Sequence, residues 1–376
     1  MRAIQMVDLK GQYLKLKPEV DAAFSKVLDT CTFIGGPHVN DFATNLSKYL
    51  GIKHVIPCAN GTDALQIAMM ALGLKPGDEV ITPSFTFIAT AEVIALLQLN
   101  PVFVDVDSST FCMDSEAIRK AITPKTKAIV PVHLYGHSAP MEEIMAIAEE
   151  FNLFVIEDNA QAIGGDYIFS DGTIKKTGTL GTVGCTSFFP SKNLGCYGDG
   201  GAMFTDDDAL ALKLKMIANH GQAKQYYHEI VGCNSRLDAM QAAVLNIKLP
   251  LLDKFIDARR KAADFYDNAF AGNPAITIPF RAAYCKHVFH QYTILLNGIN
   301  RDELHKYLAQ KNIPSAIYYP VPAHRQKMFS HIESNKHQLE NTDWLSQRVL
   351  SLPMHTELEE DQQLYITNSV LDFITN

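Results

Sequence analysis

The sequence predicts an α/β fold, with a large domain built on a mainly parallel sheet and a smaller C-terminal α+β domain. Three observations carry that expectation. The chain has 376 residues, more than one small core accommodates. Through roughly its first half, short β-rich runs alternate with segments of helical apolar spacing, the pattern of βαβ units. Beyond about Gly200 that alternation gives way to longer helices and scattered strands.

Element by element, strands are expected over residues 79–82, 102–105, 126–132 and 154–157, and helices over 64–72, 90–97, 115–122 and 141–150. Pro76-Gly77-Asp78, Asn100-Pro101 and Thr123-Pro124 supply turn chemistry at the boundaries. A further strand is expected over 200–205, where Asp206-Asp207-Asp208 then offers an N-cap and an acidic first turn to a helix ending near Asn219. The helical stretch from Leu237 to about Phe270 contains Pro250, which should kink or break it. Segments 288–296, 301–311 and 361–374 complete the smaller domain. The division is expected near Leu251, giving a large domain with an N-terminal arm over 1–250 and a small one over 251–376.

Composition narrows the function classes. Apolar residues make up 47% and charged residues 20%, as in ordinary globular proteins, and the formal net charge is −8. Without a long basic run, a nucleic-acid partner is not expected. No apolar stretch reaches membrane-spanning length, since Glu92 and Gln98 interrupt even residues 89–99, and the first residues lack a signal-peptide pattern. The seven cysteines are scattered and never form a Cys-x-x-Cys pair, which reads as reduced thiols in a cytoplasmic protein.

Three motifs point to chemistry. In Cys58-Ala59-Asn60-Gly61-Thr62-Asp63-Ala64-Leu65, a small turn feeds a helix whose first N–H groups lack internal partners. Such an end suits a phosphate, with Gly61 allowing close approach and Thr62 adding a hydroxyl; a plain N-cap is the alternative. Val155-Ile156-Glu157-Asp158-Asn159-Ala160-Gln161 is an apolar strand ending in acids, at the sheet edge where ligands collect. Asp158 there suits a protonated pyridine nitrogen, the alternatives being a helix cap or a metal carboxylate; with no ligand cluster nearby, no metal is expected. Thr186-Ser187-Phe188-Phe189-Pro190-Ser191-Lys192-Asn193-Leu194-Gly195 sets one lysine in an aromatic, glycine-rich turn. Burial there would lower the lysine pKa and free the amine to form a Schiff base, whereas the alternative is a loop lysine at the surface. The glycine run at 195–201 does not fit a dinucleotide fingerprint. A cradle, a strand-end carboxylate and a loop lysine, in that order, are the parts of a pyridoxal 5′-phosphate (PLP) site.

Asn60-Gly61-Thr62-Asp63-Ala64-Leu65, Glu157-Asp158-x-Ala160-Gln161, Ser187-Phe188-Phe189-Pro190-Ser191-Lys192 and Asn234-Ser235-Arg236-Leu237-Asp238 together resemble the DegT/DnrJ/StrS sugar aminotransferases. The likeness runs from Val7-Asp8-Leu9 through Tyr319-Pro320 to Ser351-Leu352-Pro353-Met354. It implies a fold-type-I, PLP-dependent aminotransferase working as a homodimer with shared sites. By this resemblance Lys192 carries the cofactor as a Schiff base, Asp158 pairs with the pyridinium nitrogen, Gln161 lies near the phenolic oxygen and Phe87 stacks on the ring. Gly61, Thr62 and Ser187 would hold the phosphate, Asn234 would enter from the other subunit, and Arg236, Tyr318 and Tyr319 would face the sugar nucleotide. Two departures from the family pattern are Asn159, expected to alter the hydrogen bonds around Asp158, and a long stretch over 167–181.

The implied reaction is ping-pong transfer from L-glutamate, released as 2-oxoglutarate, to a dTDP- or UDP-linked 3-keto hexose, with the amino-sugar feeding a surface polysaccharide or glycan. Amination at C-4 is the alternative, and Tyr318 in place of a histidine tilts the reading to a 6-deoxy sugar. A PLP-dependent sugar dehydratase or a non-catalytic sensor fits less well, because Lys192 is present. His287 and His290 read as strand or loop surface, Cys185 and Cys196 as small buried thiols, and Lys175-Lys176 as a solvated turn. His220-Gly221-Gln222 either lines the site or caps a helix.

Overall fold

The computed structural model of the protein describes residues 2–332 and 339–375. Helices α1 (Leu9–Thr30) and α2 (Pro37–Leu50) precede β1 (His54–Cys58) and α3 (Gly61–Ala71). There follow β2 (Glu79–Pro83), α4 (Ala89–Leu96), β3 (Asn100–Val104), α5 (Ser115–Ala121), β4 (Thr126–Ile129), α6 (Met141–Phe151) and β5 (Phe154–Asp158). A hairpin, β6 (Asp166–Ile168) and β7 (Ile174–Lys176), leads to β8 (Val183–Ser187), β9 (Gly201–Thr205) and α7 (Asp208–Ile217). The seven-stranded sheet has the order β1-β9-β8-β5-β4-β2-β3. Only β9 runs against its neighbours; the pairs from β8 to β3 are parallel.

Alternation along the strands explains both cores. Val80, Ala128 and Ile156 point to one face and pack with Ile67 and Ala68 of α3 and Leu214 of α7. Their neighbours Ile81, Ile129 and Val155 point to the other, against Ile118 of α5 and Ile144 and Ile147 of α6. The expected strands and helices of this region appear within a few residues, with one shortened. β4 stops at Ile129 rather than 132, since Pro131 has no N–H to continue a ladder.

Pro250 acts as expected: α8 (Ala239–Lys248) ends, one 3₁₀ turn covers Leu249–Leu251, and α9 (Leu252–Phe270) begins. Leu252 and Ile256 of α9 pack with Ile163 and Phe188, while Ala263, Tyr266 and Phe270 join a second core with Tyr292, Leu350 and Ile366. That second core also takes in Ile4 from the start of the chain. It surrounds antiparallel strands Tyr292–Leu296 and Val349–Leu352 and helices Arg301–Gln310 and Glu360–Thr375. The long stretch 167–181 is ordered: Asp166 and Tyr167 of β6 pair with Lys286 and Cys285, so the hairpin stitches the later part of the chain to the sheet. Lys176 accordingly pairs with Asp166 at 2.8 Å instead of lying in a solvated turn; Lys175 is exposed.

Phe188 sits fully buried below the lysine turn, edge-to-face with Phe42 at 5.3 Å. Phe188→Ala is expected to cost about 3–5 kcal/mol in unfolding free energy, read from denaturant titration of the protein.

Candidate active site

The parallel strands deliver their carboxyl ends to one edge, and the site forms there. Alternation at the end of β5 sends its two acids in opposite directions. Glu157 faces inward, accepting from the N–H groups of Gly178, Leu180 and Gly181 and meeting His133 Nε2 at 2.9 Å. Asp158 faces the cleft. Its Oδ2 accepts from Thr90 Oγ1 at 2.8 Å and its Oδ1 from the Ala160 N–H at 3.1 Å, so the carboxylate is oriented before any ligand arrives. Asn159 does not enter this shell, contrary to the sequence expectation. Its side chain points away, with Nδ2 donating to the Thr177 carbonyl at 3.0 Å.

β8, hydrogen-bonded to β5, carries Ser187 and leads into the turn bearing Lys192, whose N–H donates to the Phe189 carbonyl at 2.8 Å. Protein encloses the Lys192 amine except toward the cleft. Loss of hydration lowers its pKa to about 8, and the negative charge of Asp158 offsets part of that fall. The amine is therefore neutral and nucleophilic above about pH 8, well below the range of a surface lysine. In cofactor-free protein, labelling of Lys192 by an amine-directed reagent is expected to rise through about pH 8 and level off, while exposed lysines keep gaining reactivity to about pH 10. Peptide mass spectrometry over a pH series checks this.

The helix end expected to cradle a phosphate lies against the end of β8. Asn60 caps α3, its side chain accepting from the Asp63 N–H at 2.8 Å, and the N–H groups of Gly61 and Thr62 have no helical partner by position. A Cβ on Gly61 would stand 2.8 Å from Ser187 Cβ, so only glycine lets the helix end and β8 approach this closely. Gly61→Ala is expected to weaken PLP binding about tenfold, measured as the dissociation constant from cofactor fluorescence.

A cleft of about 660 Å³ joins these parts. Gly61, Thr62, Phe87, Asp158, Gln161, Ser187, Lys192, Tyr318 and Tyr319 all line it, so nine of the expected site residues converge. Among the described residues lining it, Lys192 is the sole lysine or arginine. Phe87 is 52% exposed, with its ring 6.1 Å from that of Tyr319. Gln161 links two segments, its Oε1 accepting from the Tyr135 N–H at 2.7 Å and its Nε2 donating to Tyr319 Oη at 3.2 Å.

Asn234 and Arg236 are exposed and lie outside this cleft. Between them Ser235 is buried, donating to Asp63 Oδ2 at 2.6 Å and accepting from the Ala59 N–H at 3.0 Å, which docks their segment behind the cradle. His220 is likewise exposed and outside the cleft.

Sequence reasoning missed Thr90, Tyr135, His290 and Gln291. Thr90 and Tyr135 have partners far away in the chain, and no local pattern marks them. Tyr135 does carry one structural sign, a left-handed φ of 56° in a non-glycine residue. His287 and His290 are corrected: both are buried, because the chain around them is pinned under the sheet edge by Val288 N–H donating to the Gly136 carbonyl. His290 lines the cleft, and burial together with the nearby Lys192 charge pushes its pKa well below the usual histidine range.

A lysine of lowered basicity, a pre-oriented strand-end carboxylate and a glycine-lined phosphate cradle, converging at the edge of a parallel sheet, define a PLP-binding enzyme of the aminotransferase fold. Residues 15–371 match the DegT/DnrJ/EryC1/StrS aminotransferase family, and the chain belongs to it. It is 47% identical to an Acidithiobacillus ferrooxidans UDP-N-acetyl-3-dehydro-α-D-glucosamine 3-aminotransferase, over 96% of this chain and 95% of the relative. Identity is 46% to a pleiotropic regulatory protein of Geobacillus stearothermophilus, over 98% of each chain. It is 45% to a Pseudomonas aeruginosa UDP-2-acetamido-2-deoxy-3-oxo-D-glucuronate aminotransferase, over 95% of this chain and 96% of the relative. Among solved structures, DesV of S. venezuelae in complex with a ketimine intermediate superposes with a TM-score of 0.95 at 38% identity, covering 100% of both chains. NtdA of Bacillus subtilis, with bound cofactor PMP, superposes with a TM-score of 0.89 at 32% identity, covering 96% of this chain and 82% of that one. The enzyme is thus a PLP-dependent sugar aminotransferase.

Proposed function

We propose that the enzyme transfers the amino group of L-glutamate to C-3 of a nucleotide-linked keto-hexose. The observation that carries the reading is the convergence of Lys192 and Asp158 in a cleft that Tyr318 and Tyr319 also line. PLP, when bound, supplies an aldehyde to hold the amino group and a ring to take up electrons from the Cα–H bond. The Lys192 amine would carry the donor Cα proton to the cofactor carbon that keeps the amino group and, in the second half of the reaction, would carry a proton from that carbon to the sugar carbon that gains it. Asp158, held by Thr90 and Ala160, keeps a proton on the ring nitrogen through its negative charge. Gly61, Thr62 and Ser187, which line the cleft with Phe87, would hold the phosphate, and Phe87 would cover the ring face. Choice of C-3 over C-4 rests on the relatives, two of which are named for 3-oxo or 3-dehydro UDP-sugars.

A homodimer with shared sites is part of this reading. A diphosphate-linked substrate needs cations, yet Lys192 is the sole lysine or arginine among the described residues of the cleft. The partner subunit's Arg236 would supply the missing cation, and the partner subunit's Asn234 a neutral hydrogen-bond donor. Phe33, Ile34, Tyr226, Tyr227 and Val231 are exposed apolar residues of the kind an interface covers. The place of action is read as the cytoplasm, where seven unpaired cysteines stay reduced; no helix among the described residues is long and apolar enough to cross a membrane.

The test is the absorption spectrum of the PLP-loaded protein before and after L-glutamate, followed by two probes, UDP-N-acetyl-3-dehydro-α-D-glucosamine and a dTDP-linked 3-keto-6-deoxyhexose. Conversion to the pyridoxamine form with glutamate, reversed by either probe, is expected. A spectrum indifferent to glutamate would favour a regulator, as one relative is named. Light scattering on the same sample reads the dimer.

A further inference from the structure

Ser84, His324 and Asp343 form a serine–histidine–aspartate line beside the site. Ser84 Oγ lies 2.6 Å from His324 Nδ1, and His324 Nε2 lies 3.4 Å from Asp343 Oδ1. Residue types alone suggest a hydrolytic triad, but the geometry argues otherwise. Ser84 is fully buried and does not line the cleft, and its Oγ already accepts from the His324 N–H at 3.0 Å. No reacting carbonyl can reach that oxygen. The arrangement is a latch. The Ser84 carbonyl also accepts from the Ala323 N–H at 2.9 Å, so one serine holds two consecutive residues of a distant segment by backbone and side chain.

What the latch joins is informative. On one side, Ser84 follows β2 directly and precedes Phe85, Thr86 and Phe87; its own N–H donates to the Val104 carbonyl at 3.1 Å, anchoring it to the sheet. On the other, His324 follows Tyr318-Tyr319-Pro320-Val321-Pro322, where two prolines limit the backbone freedom between the tyrosines and the latch. Tyr319 packs against Phe85 and Phe87 at ring separations of 6.5 and 6.1 Å. Asp343 stands at the outer end, also bound by Arg325 at 2.7 Å, and it belongs to helix Glu340–Ser346, whose start is held by Asp105 through the Thr342 N–H at 2.8 Å. The chain from Tyr318 to His324 is thus fixed to the sheet at its far end by Ser84. Lys192 and Asp158 are positioned by β5, β8 and α4, with no hydrogen bond to this latch.

We propose that His324, acting through Ser84, is a positioning residue that sets Tyr318 and Tyr319 for the sugar nucleotide and leaves the amino-donor half of the reaction untouched. This rests on the sugar-transaminase reading above. Three variants test it: Ser84→Ala, which removes one oxygen; His324→Phe, which removes the acceptor; and His324→Asn, whose Oδ1 can replace Nδ1 as acceptor. Each is assayed by single-turnover reaction with L-glutamate and by steady-state kinetics with whichever of the two keto-sugar probes the wild type turns over. Emission of Trp344, the chain's one tryptophan and the neighbour of Asp343, is read in cofactor-free protein as a report on the latch itself.

Ser84→Ala and His324→Phe are expected to raise KM for the sugar probe about tenfold, the worth of one buried hydrogen bond. Their glutamate half-reaction should stay within about twofold of wild type, their Trp344 emission should shift, and His324→Asn should restore both KM and emission. Unchanged KM in Ser84→Ala and His324→Phe, or an equal loss in the glutamate half-reaction, overturns the role given to His324. So does a failure of His324→Asn to recover. A wild type that exchanges with glutamate but takes neither keto-sugar overturns the substrate reading first and this role with it, so the two failures are distinguishable.

Discussion

Lys192→Ala is expected to lower transamination by at least about three orders of magnitude, since among the described residues lining the cleft no other offers a neutral amine to move the proton. The fold should survive. Among the described residues the Lys192 amine has no hydrogen bond or ion pair to lose, and removing a poorly hydrated cation relieves a cost. Phosphate binding should persist as well if, as proposed, Gly61, Thr62 and Ser187 supply it, since the substitution touches none of them. Single-turnover kinetics with glutamate measures the loss, and a small amine added to the medium should restore part of it. An alanine variant at wild-type rate would sink the assignment of Lys192 and the mechanism built on it. Histidine at this position would be the more revealing change, testing whether the cleft then removes a hydroxyl instead of adding an amine.

Asp158→Asn is expected to cost about a hundredfold to a thousandfold in kcat, the usual loss when a pre-oriented charge is taken from a buried site. The substitution keeps the shape and leaves an oxygen to accept from Thr90 or from the Ala160 N–H. What disappears is the negative charge proposed to hold a proton on the ring nitrogen. Thr90→Val, which retains the charge but frees its orientation, should cost only about tenfold. If the two variants fall equally, the hydrogen bond matters and the charge does not. Asp158 also raises the Lys192 pKa, so its neutralisation should move the amine's labelling profile to lower pH.

Much of this site is legible in the sequence. The capped turn at Asn60, the acids ending β5 and the lysine in its aromatic turn are local patterns, and Asn60, Asp158 and Lys192 from them line one cleft. Pro250 broke the long helix for the same kind of reason. The misreadings also have a common cause. His287 and His290 read as surface because their own neighbours say nothing about residues 135–137, which are distant in the chain and bond and pack against their segment. Asn159 was expected to touch Asp158 because it is adjacent in sequence; in a strand end, adjacent side chains point to opposite faces.

The sequence by itself determined the βαβ architecture, the candidate lysine, carboxylate and helix-end turn, and the family to which the chain belongs. These depend on periodicity, turn chemistry and short motifs, interactions that act within a few residues of chain. Only the tertiary structure decided that Thr90 orients Asp158, that Tyr135 and Tyr319 hold Gln161 between them, and that Ser84 latches His324. Those partners meet because the sheet order β8-β5-β4-β2 brings distant strand ends to one edge. A side chain's neighbours across that edge follow from the packing of layers, and no local pattern in the sequence specifies them.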